Sequence, residues 1–330
     1  MRNRPADNDE QIGETNAMDA STIRTRYFNR LTFSGDRRTV CKTSSCDRKL
    51  KDEISWYLGL PGELKGYTPE VISYSMEEEV HLTMEYIHSP TLAELYVQDS
   101  MRPDEWVAVF NQITDILAQF ARYTAEVHPD ALYDMYLSKT KARIAAFLAR
   151  NELAGKFYRR GFYRLNDRTV VCPFRIFESH LDDFLQLLDK PDRTLLHGDL
   201  CFSNILYDAK TPAIKLIDPR GRFGEQGIYG DERYDLAKLR HSLSGYEHIV
   251  QNSYTLDIRD SGLHLHIPFT SGQQQVRESW DAVLGDKLGD TAKIEALLFL
   301  SLLPLHREDP HRQLALYGLA TRLMYDIFAE

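Results

Sequence analysis

The chain has little cysteine, no long apolar run and no excess of positive charge. Its four cysteines, Cys41, Cys46, Cys172 and Cys201, form no C-x-x-C pair, which argues against a regular disulfide framework and for free thiols in a reducing compartment. Ala296 to Leu305 is the longest apolar run, too short to span a bilayer. Met1 to Ala20 is polar and mixed in charge, without the apolar core of a secretory signal. A cytoplasmic protein with no membrane partner is expected. The balance of 40 basic against 49 acidic residues gives a net charge of -9, so a general binder of nucleic-acid backbones is not expected. That balance weakly favours neutral or cationic partners.

What is present is ample for a core: 43% hydrophobic and 11% aromatic residues in 330 positions, a length that suggests about two domains. Residues 1–22 carry few large apolar side chains and read as a disordered tail. Tyr27 to Phe33 and Arg38 to Lys42 flank the turn residues Ser34-Gly35-Asp36 and read as a hairpin. From Asp47, Leu50, Ile54, Tyr57 and Leu58 recur at helical spacing, with Glu53 beside the stripe. Such an acid can turn inward and pair with Lys42; Asp52 is the alternative partner, and a solvated helix face is the plainer reading. Val71 to Tyr74 and Val80 to Tyr86 read as strands.

Beyond about residue 90 the pattern is mainly helical. Trp106, Phe110, Ile113, Leu117 and Phe120 form a core stripe after the start signal Pro103-Asp104-Glu105, and Ile144, Phe147 and Leu148 suggest another. A small hairpin is expected around Asn166-Asp167, one helix over Ile176 to Leu188, and broad apolar helices over Ala292 to Leu305 and Leu314 to Phe328. His264 and His266 lack ligand partners at useful spacing and read as surface histidines. The polar cluster from His306 to His311 is either a turn or part of a substrate cleft.

The chemistry concentrates in Leu196 to Asp218. Ile205 to Asp208 and Ala213 to Ile217 are short apolar runs separated by turn residues, a second hairpin whose antiparallel return brings Asp218 beside Asn204, at the same end as Asp199. A carboxylate and an amide carbonyl meeting at one point are hard oxygen ligands of the kind that hold magnesium on substrate phosphates. Asp199 is then left to take a proton.

The spacing Asp199 to Asn204 and the position of Asp218 match the kinase catalytic loop and its metal-binding aspartate. The run H-G-D-L-C-F-S-N, the run I-D-P-R-G and Gly230-Asp231-Glu232-Arg233-Tyr234-Asp235-Leu236 resemble the aminoglycoside phosphotransferase and choline kinase superfamily. Gly198, where protein kinases carry arginine, points to that branch. The same runs are similar to phosphotransferase-type proteins associated with capsule and surface polysaccharide assembly.

The resemblance implies an α+β, bilobal, protein-kinase-like fold: a small, mainly antiparallel nucleotide-binding lobe over residues 23–88 and a larger, mainly helical catalytic and substrate-binding lobe over 89–330. It implies a kinase that uses Mg2+ and ATP or GTP to phosphorylate a hydroxyl of a small molecule. Asp199 is the implied base, Asn204 and Asp218 the metal ligands, and Lys42 with Glu53 the phosphate grip. Adenine is expected against the Glu85 carbonyl and the Ile87 N–H, with Met84 behind it. His197 braces the loop and Asp235 bonds its backbone N–H groups. Arg220 is a candidate for a phosphate or an acidic group on the substrate, and Asp231 for the acceptor. One departure is that the first hairpin has only Gly35 and no G-x-G-x-x-G cover. A sugar or sugar-linked precursor is the first expectation for the acceptor, with choline, ethanolamine or an aminoglycoside as alternatives. A kinase-like binding or scaffold protein without turnover is the reading from another class.

Overall fold

A computed structural model describes residues 29–126, 128–189, 193–224 and 227–328. The expected tail over residues 1–22, and Tyr27, lie outside the described residues. The first hairpin forms as β1 (Asn29–Phe33) and β2 (Thr39–Ser44), closed by Ser34 Oγ, which accepts from Thr39 N at 3.0 Å. Helix α1 (Asp47–Gly59) follows, then β3 (Val71–Ser75) and β4 (His81–Glu85). Among the described residues these strands make one antiparallel sheet in the order β1-β2-β4-β3. On α1 the buried positions are Leu50, Glu53, Ile54, Trp56 and Tyr57, while Leu58 is 42% exposed. The helix is therefore rotated from the expected stripe, which lets Glu53 and Trp56 point inward.

The chain then enters helices α2 (Leu92–Val97) and α3 (Pro103–Phe120). The start of α3 is the one its sequence announces: Pro103 occupies the first turn and the Glu105 carboxylate accepts from the N–H of Arg102 at 2.8 Å. Next come α4 (Pro129–Tyr133), α5 (Lys139–Leu148) and α6 (Glu152–Arg160). Strands β5 (Phe162–Leu165) and β6 (Arg168–Val171) turn at Asn166, as expected. They do not stand alone, because β5 also pairs in parallel with a later strand.

Two expectations need correction here. The single helix expected over Ile176 to Leu188 is broken into α7 (Pro173–Ser179) and α8 (Leu181–Leu185) at His180, whose backbone leaves the helical region. A straight helix would set Phe177 and Phe184 about 10 Å apart along its axis; the break brings their rings to 5.4 Å. The glycine-rich, charged stretch from Arg220 to Gly230 reads in sequence as a loop crossing the site, but it ends in strand β10 (Tyr229–Asp231), antiparallel to β7 (Arg193–Leu195).

Between those two strands lie β8 (Ile205–Asp208) and β9 (Ala213–Leu216), and after them α9 (Arg233–His241) and α10 (Glu247–Val250). The chain ends with β11 (Thr255–Arg259), β12 (Gly262–His266), α11 (Ser271–Leu284), α12 (Leu288–Leu302) and α13 (Pro310–Phe328). Strand β12 joins β5 and completes a second sheet in the order β11-β12-β5-β6. His264 and His266 are exposed on that strand. Among the described residues no helix is long and apolar enough to cross a membrane.

The apolar cores do not follow the lobe boundary. One core joins Leu50 and Ile54 of α1, Leu82 of β4, Phe110 and Ile113 of α3, Phe202 and Ile205 at the start of the β8–β9 hairpin and Trp280 of α11. The other gathers α5 to α7 with α12 and α13. The small sheet and the β8–β9 hairpin thus share one interior. Phe202 anchors the loop there, stacked on Trp106 at 5.2 Å and edge-on to Tyr96 at 5.6 Å. Truncation by Phe202→Ala should cost about 3–5 kcal/mol of stability. Urea unfolding measures it, and a loss below about 1 kcal/mol would mean the loop is held by something else.

Candidate active site

Alternation of apolar residues in β8 and β9 buries Ile205, Tyr207, Ile214 and Leu216. That pattern sets the register: Ile205 pairs with Leu216, and the next N–H, of Ile217, donates to the Asn204 carbonyl at 3.0 Å. Asp218 follows directly, in the left-handed region at φ 56°, which aspartate tolerates better than most residues. Asn204 is buried and its Nδ2 donates to the Asp199 carbonyl at 2.8 Å. Its amide oxygen is the atom left for a cation.

Lys42 reaches the same point from β2. Its Nζ donates to Glu53 Oε2 at 2.7 Å and also pairs with Asp218. Lys42 and Glu53 are buried, whereas the Asp218 side chain is half exposed. Asp52, the alternative partner, pairs instead with Arg222 at 3.3 Å. Burial alone would depress the Lys42 amine, but the charges of Asp218 and Glu53 raise it above its ordinary range. Burial pushes the Glu53 carboxyl up to about 8, partly countered by Lys42. Asp218, the exposed member of the three, is where a further cation is best placed.

The loop itself is suspended from Asp235. Its carboxylate accepts from His197 N at 2.7 Å and Gly198 N at 2.8 Å; burial pushes that carboxyl up to about 7 despite both donors. His197 is fully buried, with Nε2 3.0 Å from the Ile217 carbonyl and Nδ1 3.3 Å from Asp199 N–H. Only the tautomer with its proton on Nε2 satisfies both contacts. Burial drives its pKa down to about 4. Trp56 Nε1 of α1 donates to the Leu196 carbonyl at 2.7 Å. Two glycines make the crossing possible. At Gly198 (φ 78°) a Cβ would lie 2.9 Å from Arg220 Cβ, and at Gly221 (φ 77°) 2.0 Å from the Asp52 carbonyl oxygen.

Asp199 is ion-paired with Lys238 of α9 at 2.7 Å. Sequence reading did not single out Lys238, although it follows Asp235 by three residues and so shares its helix face. Arg220 donates from its backbone to the His197 carbonyl and from Nη1 to Tyr234 OH at 3.0 Å. Asp231 departs from its expected place at the acceptor. It is fully buried, gripped by Arg233 Nε at 2.9 Å and Nη2 at 2.8 Å and by Tyr136 OH at 2.8 Å. Its oxygens are committed to the fold. Glu85 closes β4 with Met84 buried behind it, and Ile87 follows, half-buried, on the way to α2. Of the polar cluster, His306 approaches Tyr246, while His311, in the first turn of α13, bonds Tyr254 OH at 3.1 Å.

No protein-family description matches the chain, and no curated protein does. Solved structures match over nearly its whole length. The GDP complex of aminoglycoside 2'-phosphotransferase-IIIa aligns with a TM-score of 0.55 at 13% identity, covering 92% of each chain. The ternary complex of a thermostable aminoglycoside phosphotransferase APH(4)-Ia with AMP-PNP and hygromycin B gives 0.52 at 13%, covering 93% of each. ADP-bound APH(2'')-Ib gives 0.52 at 13%, covering 90% of this chain and 91% of the other. The chain has the aminoglycoside phosphotransferase fold. The bilobal α+β architecture expected from the sequence is the one observed.

The His197 imidazole supplies a pH signature. Its native pKa lies below the ordinary value near 6.5, so its contribution is fully present above about pH 6.5 and is lost as pH falls through about 4. The stability gap between the protein and its His197→Asn variant should narrow by up to roughly 3 kcal/mol over that interval. A gap unchanged between pH 7 and 4 would mean that the ring is not held neutral in the fold.

Proposed function

We propose that the protein is a small-molecule kinase that transfers the γ-phosphoryl group of ATP or GTP to a hydroxyl. The observation that carries this reading is the convergence of Lys42, Glu53, Asp199, Asn204 and Asp218 from separate elements on one point. Nucleotides bound in the neighbouring structures support a nucleotide co-substrate.

Asp218 and the Asn204 amide oxygen suit a magnesium ion. Among the described residues there is no group of three or more His, Cys, Asp or Glu side chains able to hold a metal, so phosphate oxygens and water would complete the shell, as magnesium prefers. When bound, the ion would neutralise charge on the phosphates. Lys42, fixed by Glu53, would position them, and the main chain from Glu85 to Ile87 would carry the base. Residues up to about 88 form the nucleotide lobe in this reading. Asp199 would orient the acceptor hydroxyl and take its proton, with Lys238 holding the carboxylate in place. Asp235 and His197 keep the loop in register. A sugar or sugar-linked precursor, in a cytoplasmic setting of surface polysaccharide assembly, is the proposed acceptor context.

The test is mass spectrometry of a sugar and metabolite panel incubated with magnesium and ATP or GTP. Asp218→Ala should abolish transfer, and Asp199→Asn should slow it on the order of 10²–10⁴-fold while nucleotide binding persists. Full turnover in the Asp218 variant would sink the assignment.

A further inference from the structure

The surroundings of Asp199 are cationic. Tyr234 is the hub: its hydroxyl and ring carry the Arg220 guanidinium, and its ring stacks on Tyr136 at 6.3 Å. Lys238 lies one helical turn beyond Tyr234 on α9, and Lys139 follows Tyr136 by three residues, with Arg143 one turn further along α5. The Tyr136–Tyr234 stack sets the turn before α5 against α9, and the charges of Arg220, Arg143, Lys238 and Asp199 all act on the Lys139 amine, so these groups share one neighbourhood. Lys238 is matched by Asp199, and Arg143 donates to the Ser301 carbonyl at 3.0 Å. Among the described residues neither Lys139 nor Arg220 has a carboxylate in ion-pair range, and the only hydrogen-bond partner of Lys139 Nζ there is Met135 Sδ at 3.9 Å. Two cationic groups without acidic partners, beside the carboxylate that faces the acceptor, form a ready anion site.

We infer that the acceptor cleft takes a hydroxylated compound that itself carries an oxyanion, a phosphate or a carboxylate, held by Lys139 and Arg220 while its hydroxyl meets Asp199. This rests on the kinase reading and names its substrate class. Cationic acceptors such as choline or an amino sugar would meet like charge here. Burial, and then the like charges of Arg220, Arg143 and Lys238, push the Lys139 amine well below its ordinary range, with Asp199 opposing; an arriving oxyanion would relieve that repulsion. In the transfer the acceptor oxygen bonds to the γ-phosphorus. The bond from that phosphorus to the β,γ-bridging oxygen breaks, its electron pair leaving on the nucleoside diphosphate, and the hydroxyl proton passes to Asp199.

The test is calorimetric binding of glucose 6-phosphate, glucuronate, glucose and glucosamine, with magnesium-ATP measured separately. At least one anionic sugar should bind ten-fold or more tighter than glucose, and glucosamine should bind weakest; which anion wins distinguishes phosphate from carboxylate. Lys139→Met and Arg220→Gln should each remove most of that preference without changing magnesium-ATP affinity, and Arg220→Lys should retain part of it. Equal affinity for anionic and neutral sugars, tighter binding of glucosamine, or variants that lose magnesium-ATP affinity instead would overturn the proposal. Anion preference in a protein that binds no nucleotide would support the anion site and remove the kinase reading.

Discussion

A single buried ammonium ties the two lobes together at the candidate active site. Lys42 comes from the small sheet, Glu53 from the helix packed on it and Asp218 from the end of the β8–β9 hairpin. Taking such charges out of water costs several kcal/mol per ion, and removing one member of a buried pair typically costs about 3–5 kcal/mol. The arrangement is therefore a constraint more than a source of stability. It allows β2, α1 and the hairpin to meet in one way only.

The surrounding structure serves that meeting. The close passage of Gly221 across the backbone of α1 and the Trp56 bond to Leu196 set the helix against the loop. On the far side Asp235 holds two successive N–H groups, and Phe202 plugs the loop into the core shared by both lobes. Groups of opposite character thus do the same work: apolar packing sets the depth of the loop, and hydrogen bonds to a buried carboxylate set its direction.

Overall charge and local charge point in different directions here. A net charge of -9 weakly favours neutral or cationic partners, yet Lys139, Arg143, Arg220 and Lys238 gather beside Asp199. Interactions between exposed charges fade over about 10 Å in ordinary salt. A cleft answers to the few groups that line it, and the summed charge of a distant surface says little about its ligand.

Sequence alone determined the features that are local. The turn chemistry of Ser34 to Asp36, the apolar alternation of Ile205 to Leu216 and the start signal of the helix at Pro103 each act over a few residues, and each reappears in the fold. The return of Asp218 to Asn204 was legible for the same reason, since a short hairpin leaves its ends little choice. The fold was legible through the family resemblance carried by the runs His197 to Asn204, Ile217 to Gly221 and Gly230 to Leu236. Tertiary structure decided what depends on long-range approach. It turned Asp231 inward, where Arg233 and Tyr136 consume its oxygens, broke the helix at His180 and joined β12 to β5. It also brought Lys139 to a site centred sixty residues away in sequence. A lysine in a helix of mixed charge reads as solvated until packing shows which charges face it, and that packing is fixed by the whole interior at once.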